Sequence, residues 1–146
     1  MFDKIMVATD GSENANDAVS YAAELAQMAG TKEVVVVHVC PGCTADIDVK
    51  DTNREAAEEI VQEAGEVFRK LGTSVRTSVE IDYPPEAIGS AIIDVGVREN
   101  PDLIVLGSRG LSEFKGLLLG SVSSKVVQKA HCPVLVIKHE QLEESH

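Results

Sequence analysis

Val34-Val-Val-Val-His-Val39 is a β-branched run with almost no polar interruption. A strand of this kind has no face it can show to water, so it must be covered on both sides. A second run, Leu103-Ile-Val-Leu106, has the same character. Shorter apolar stretches occur at Ile5–Ala8, at the alternating Val75–Ile81 (an expected edge) and at Pro133–Lys138. Between them lie helical patterns. Ala15, Ala18, Val19, Ala22, Leu25, Ala26 and Ala29 recur at helical spacing, with Ser12 placed to cap the start and Gly30 at the C′ position. Ala57, Ile60, Val61, Ala64, Val67, Phe68 and Leu71 form the second face, closed by Gly72. Pro84-Pro85 opens a third helix where proline is tolerated and Pro101 stops it; Val122–Ala130 is a short fourth.

Strand–helix alternation of this regularity predicts one α/β domain over residues 1–146: a doubly wound, five-stranded parallel sheet with helices on both faces and right-handed crossovers. Strands two and four belong at the centre, with strand one between or beside them, and an order of 3-2-1-4-5 fits. The chain direction then reverses between strands one and four, opening a crevice at their carboxyl ends. Asp10 follows the first of these strands and Gly107 the fourth, so both loops converge on that crevice.

The second of those loops is Gly107-Ser108-Arg109-Gly110, nine residues, then Gly120-Ser121. Glycines let a backbone approach an anion closely, and the first turn of a helix offers unpaired N–H groups at a positive dipole end. The amides of Gly107, Gly110, Ser121, Val122 and Ser123 are candidate phosphate donors. The Ser121 and Ser123 hydroxyls, Ser121 at the cap, are further donors or could reach a phosphate-bound Mg²⁺ or Mn²⁺. Arg109 could pair with a phosphate or face solvent, and the whole stretch could be a surface loop whose glycines only make turns. No G-x-x-x-x-G-K-[ST] occurs, and no G-x-G-x-x-G follows the first strand, so P-loop and Rossmann dinucleotide readings fail. Glu113 is no obvious general base, and Lys115 is expected in solvent.

G-x-x-G-x9-G-[ST] after a strand, together with Ala8-Thr9-Asp10-Gly11-Ser12 after the first strand, closely resembles the universal stress protein family, over Lys4 to Lys138. The resemblance implies the ATP-binding branch of that family, the 3-2-1-4-5 order and a homodimer. It also implies that the matching Asp10 lies near the ribose and that the backbone around Ala8 and Val39 meets the adenine. The expected nucleotide site is therefore Ala8, Thr9, Asp10, Val39, Gly107, Ser108, Arg109, Gly110, Gly120, Ser121, Val122 and Ser123, with ATP as cofactor. The expected role is a nucleotide-dependent switch or dimeric adaptor with little or no hydrolysis; a fold-mate that binds no nucleotide is the alternative within the binding class. Asp10 could also bond the amides of its own turn.

A net charge of −11 disfavours nucleic acid and anionic membranes, which demand a basic surface. No signal peptide is evident and no apolar run approaches the ~20 residues of a membrane span. Three cysteines, an odd number, argue against a disulfide framework and for the cytoplasm. Even so, Cys40-Pro-Gly-Cys43 directly follows a strand, the context of a redox dithiol, although such motifs normally open a helix. Cys40, Cys43 and His38, with His131-Cys132, are an alternative zinc set, and incidental thiols are the third reading. The acidic residues Asp46, Asp48, Asp51, Glu55, Glu58, Glu59, Glu63 and Glu66 form a solvated face. The polar stretch 41–53 is the expected mobile segment, and the tail 139–146 is expected to fray. Pro133–Lys138 is apolar on both faces yet belongs at the sheet edge, which invites pairing with a second copy.

Overall fold

In the computed structural model of the chain, residues 1–43, 52–108 and 119–138 are described. They form β1 (Lys4–Ala8), α1 (Glu13–Ala29), β2 (Glu33–Val39), α2 (Thr52–Arg69), β3 (Val75–Glu80), a 3-10 turn over Pro85–Ala87, α3 (Ile88–Glu99), β4 (Leu103–Gly107), α4 (Ser121–Lys129) and β5 (Val134–Ile137). All four strand pairings are parallel, in the order β3-β2-β1-β4-β5. The expected topology holds, and β1 is the strand between β2 and β4.

Alternation along the central strands divides the core into two layers. Ile5, Val7, Val34, Val36, Leu103 and Val105 meet the small face of α1 (Ala18, Val19, Ala22) and, from α2, Val61 and Phe68. Met6, Ala8, Val35, Val37, Ile104 and Leu106 meet α3 through Ala91, Ile92 and Val95, and α4 through Val126. Val34 to Val37 are wholly buried, and the polar residue of the run, His38, falls where the strand is only half covered. Each such valine contributes roughly 1.5–3 kcal/mol of burial.

Local punctuation follows the sequence closely. Ser12 caps α1 by accepting from Ala15 N, and Gly30 ends it in the left-handed region at φ 66°. Two boundaries differ from expectation. Thr52 and Asn53 already belong to α2, so the helix begins inside the expected polar stretch, residues 44–51 of which lie outside the described residues. Pro84-Pro85 starts a 3-10 turn, not α3 itself: Ala87 N donates to Pro84 O, and the α-helix begins at Ile88. The acidic residues Asp46, Asp48 and Asp51 and the tail 139–146 also lie outside the described residues. Among the described residues, no helix is long and apolar enough to cross a membrane.

Candidate functional site

β1 sends its chain into α1 on one face of the sheet, and β4 sends its chain towards α4 on the other. The crevice expected at this divergence is present. It is a solvent-open cleft at the carboxyl ends of β1, β2 and β4. Ala8, Val37, Val39, Ile92, Leu106 and Val122 make its apolar lining, and Thr9, Asp10 and His38 supply polar groups.

The β1 side is held by short-range bonds. Thr9 N donates to Val37 O at 2.9 Å, which extends the β1–β2 ladder one step. Gly11 N donates to Thr9 Oγ1, and Ser12 N donates to Asp10 Oδ1 at 2.9 Å. Asp10 therefore does bond its own turn, and Gly11 makes that turn possible by adopting φ 80°. The other carboxylate oxygen of half-buried Asp10 has no partner among the described residues. His38 Nδ1 lies 2.8 Å from Thr9 O. A carbonyl can only accept, so Nδ1 carries a proton and donates.

The α4 side departs from the sequence reading in two respects. Gly120, not Ser121, is the N-cap, with extended φ −78° and ψ 176° and no side-chain cap bond; Ser121 is the first helical residue and is exposed. Ser123, expected to offer its hydroxyl to a ligand, is buried and donates inward to Ser108 O at 2.6 Å, with Gly120 O at 3.2 Å. Backbone N–H groups remain suitable for an anion: the first intrahelical bond comes from Ser124 N to Gly120 O, so the amides of Val122 and Ser123 have no carbonyl of their own helix.

Asn14 went unrecognised in the sequence, and it ties this region together. It is buried in the first turn of α1, donates through Nδ2 to Ile137 O at 2.9 Å, and accepts from Ser108 Oγ at 3.3 Å. Ser108 N donates to Ile137 O and Gly120 N donates to Ser108 O, so α1, β4, β5 and the start of α4 share one polar knot. Gly107 belongs to it sterically. A Cβ there would stand 2.8 Å from Asn14 Oδ1, so glycine is required by the packing of α1 as well as by any approach of an anion. A capping-type Asn next to Ser12 and Glu13 was the available signal, but such a residue normally faces water.

The remaining candidates separate. Cys40 and Cys43 are joined by a disulfide, while Cys132 is a free thiol whose pKa is raised, chiefly by burial. The pair cannot supply two thiolates to a metal in this state. His131 and Cys132 precede β5 and so lie at the opposite end of the sheet from Cys40, which dissolves the five-residue zinc set. Among the described residues no group of three His, Cys, Asp or Glu is arranged to hold a metal ion. Arg109, Gly110, Glu113 and Lys115 lie outside the described residues.

Residues 1–138 match the family model described as the universal stress protein family. The chain belongs to that family. A universal stress protein of Thermus aquaticus is 32% identical over 141 residues, covering 94% of this chain and 100% of its own. Among solved structures, the universal stress protein from Archaeoglobus fulgidus superposes with a TM-score of 0.72 at 30% identity, covering 94% of this chain and 100% of that one. A structure of the A. fulgidus protein in complex with dAMP gives 0.71 at 29% identity, covering 94% and 98%. The order and layering described above are those of a universal stress protein.

Proposed function

We propose that this universal stress protein binds ATP in the cleft and acts as a nucleotide-dependent switch or dimeric adaptor with little or no hydrolysis. One observation carries the reading. The carboxyl ends of β1 and β4 and the N-terminus of α4 meet around a single cleft with an apolar lining, a half-buried carboxylate and helix amides. In this reading the adenine lies against the apolar wall beside Ala8 and Val39. Asp10 would then accept from a ribose hydroxyl through the oxygen not used by Ser12, and the amides of Val122 and Ser123 would meet the phosphate. The dAMP complex of the A. fulgidus relative supports an adenine nucleotide as the ligand class. A divalent ion, where one takes part, would arrive on the phosphates and be held chiefly by them, as is usual for Mg²⁺. The only carboxylate lining the cleft among the described residues, Asp10, is committed to its turn and the ribose, which favours holding ATP over turning it over.

The adaptor half of the reading is a homodimer through the β5 edge. Val134, Leu135 and Val136 are half-buried there, and a surface depression lies beside them between Tyr21 of α1 and Lys138.

Calorimetry tests the binding. Wild type should take up ATP in the micromolar range, and Asp10→Ala should bind about tenfold or more weakly, the worth of one hydrogen bond to a charged group. Circular dichroism of the variant checks that α1 survives the loss of the Ser12 contact. Absence of binding by wild type at about 1 mM ATP refutes the reading; equal affinity in a folded Asp10→Ala refutes the placement of the ribose.

A further inference from the structure

We propose that Cys40–Cys43 is a reducible thiol–disulfide site whose co-reactant is a dithiol, and that its redox state sets how tightly the adjoining cleft holds its ligand. The second half rests on the ATP reading above. Three segments meet at this bond. Cys40 N donates to Glu80 O at 2.8 Å and so fastens the chain to the end of β3; Cys43 N donates to Cys40 O at 3.2 Å and closes the turn. Both cysteines pack against Ala57 of α2, with Val79 and Ile81 beside them. The residue immediately before the bond is Val39, and both it and His38 line the cleft.

The bond is suited to being broken. Its partners are only three residues apart, so closing it removes little freedom from the unfolded chain, and the fold depends on it less than on a long-range staple. Both cysteines are buried, but Gly42 between them is exposed and Pro41 half-buried, so the turn meets solvent at its tip. A thiolate of the dithiol attacks one sulfur, the S–S bond breaks, and the other cysteine leaves as a thiolate. The second thiol of the reductant then attacks the mixed disulfide, closes its own disulfide and releases the first cysteine. Two electrons pass to the protein, and the two protons of the dithiol end on Cys40 and Cys43. A partner disulfide reverses the exchange.

In the oxidised protein the turn after β2 is fixed, so the Val39 wall is preorganised. In the reduced protein the turn regains freedom that a ligand must again restrict.

The test compares oxidised protein with protein treated with dithiothreitol, alongside the Cys40→Ser/Cys43→Ser variant. Free thiols should rise from one, Cys132, to three on reduction of the folded protein. ATP affinity by calorimetry should fall about three- to tenfold, and the double variant should match the reduced form and ignore dithiothreitol. Amide exchange over residues 37–43 and the first turns of α2 should quicken in step. A thiol count fixed at one in the folded protein overturns the site. Reduction that changes neither affinity nor exchange overturns the switch. Should ATP bind in neither state, the ATP reading fails by itself and exchange decides the redox proposal: quickened exchange supports it, unchanged exchange overturns it.

Discussion

Replacing Gly107 with alanine puts a methyl group where α1 already stands. The added Cβ would lie 2.8 Å from Asn14 Oδ1, 2.9 Å from Asn14 Cγ and 3.1 Å from the Asn14 backbone oxygen. Even a favourable C–H···O contact needs about 3.3–3.6 Å. Two escapes exist. Asn14 can rotate, giving up its bonds to Ile137 O and Ser108 Oγ at about 1 kcal/mol each and leaving buried polar atoms unpaired. Rotation does not relieve the backbone contact, however, so α1 must also shift by a few tenths of an ångström. Together these place the cost of Gly107→Ala at about 2–4 kcal/mol. Urea denaturation reads this as a lower midpoint at unchanged slope. Asn14→Ala removes the side-chain part of the clash, so Gly107→Ala/Asn14→Ala should cost at least about 1 kcal/mol less than the two single changes summed. A Gly107→Ala protein within about 0.5 kcal/mol of wild type, or strict additivity in the pair, would refute the steric account.

Two further outcomes are expected. Glu99 is held at a pKa of about 2, first by its hydrogen bond from Arg76 and then by Lys4, against the opposing effect of burial. Because the folded pKa lies below the unfolded one, this contribution is complete above about pH 4.5 and is lost as pH falls towards 2; it should be modest, about 1 kcal/mol or less, since Arg76 is half exposed. Melting temperatures of wild type and Glu99→Gln should differ near neutral pH and converge in acid, and a gap that is the same at both would contradict the assignment. At the β5 edge, Val136→Pro removes a ladder donor and should turn a dimer into a monomer in sedimentation at micromolar concentration; a monomeric wild type or an unaltered dimer in the variant would place the interface elsewhere.

The elements most legible in the sequence were those set by a single dominant force. The valine run of β2 had to be covered on both faces, and Gly30 had to sit in a left-handed cap. Once strands two and four were central, convergence of Asp10 and Gly107 on one crevice followed from topology alone. The features missed depend on which of two nearly equal local options tertiary packing selects. Ser121 could cap α4, yet Gly120 does, because its N–H is drawn to Ser108 O. Ser123 could face a ligand, but its hydroxyl satisfies the same carbonyl from the buried side. Asn14 has a polar side chain on a helix near its N-terminus, and the approach of β5 and of the end of β4 makes that position interior. Pro84-Pro85 marks a start correctly, although the first turn tightens to 3-10 geometry before α3 begins.

The proposed function stands or falls with occupation by ATP of the cleft at the carboxyl ends of β1, β2 and β4. Titration of ATP into isotope-labelled protein, followed by backbone amide shifts, tests it most directly. Saturable shifts are expected at Thr9, Asp10, His38 and Val39 and at Ser121, Val122 and Ser123, with β3 and the amino ends of the strands unmoved. Shifts that fail to saturate, or that gather away from those segments, would contradict it.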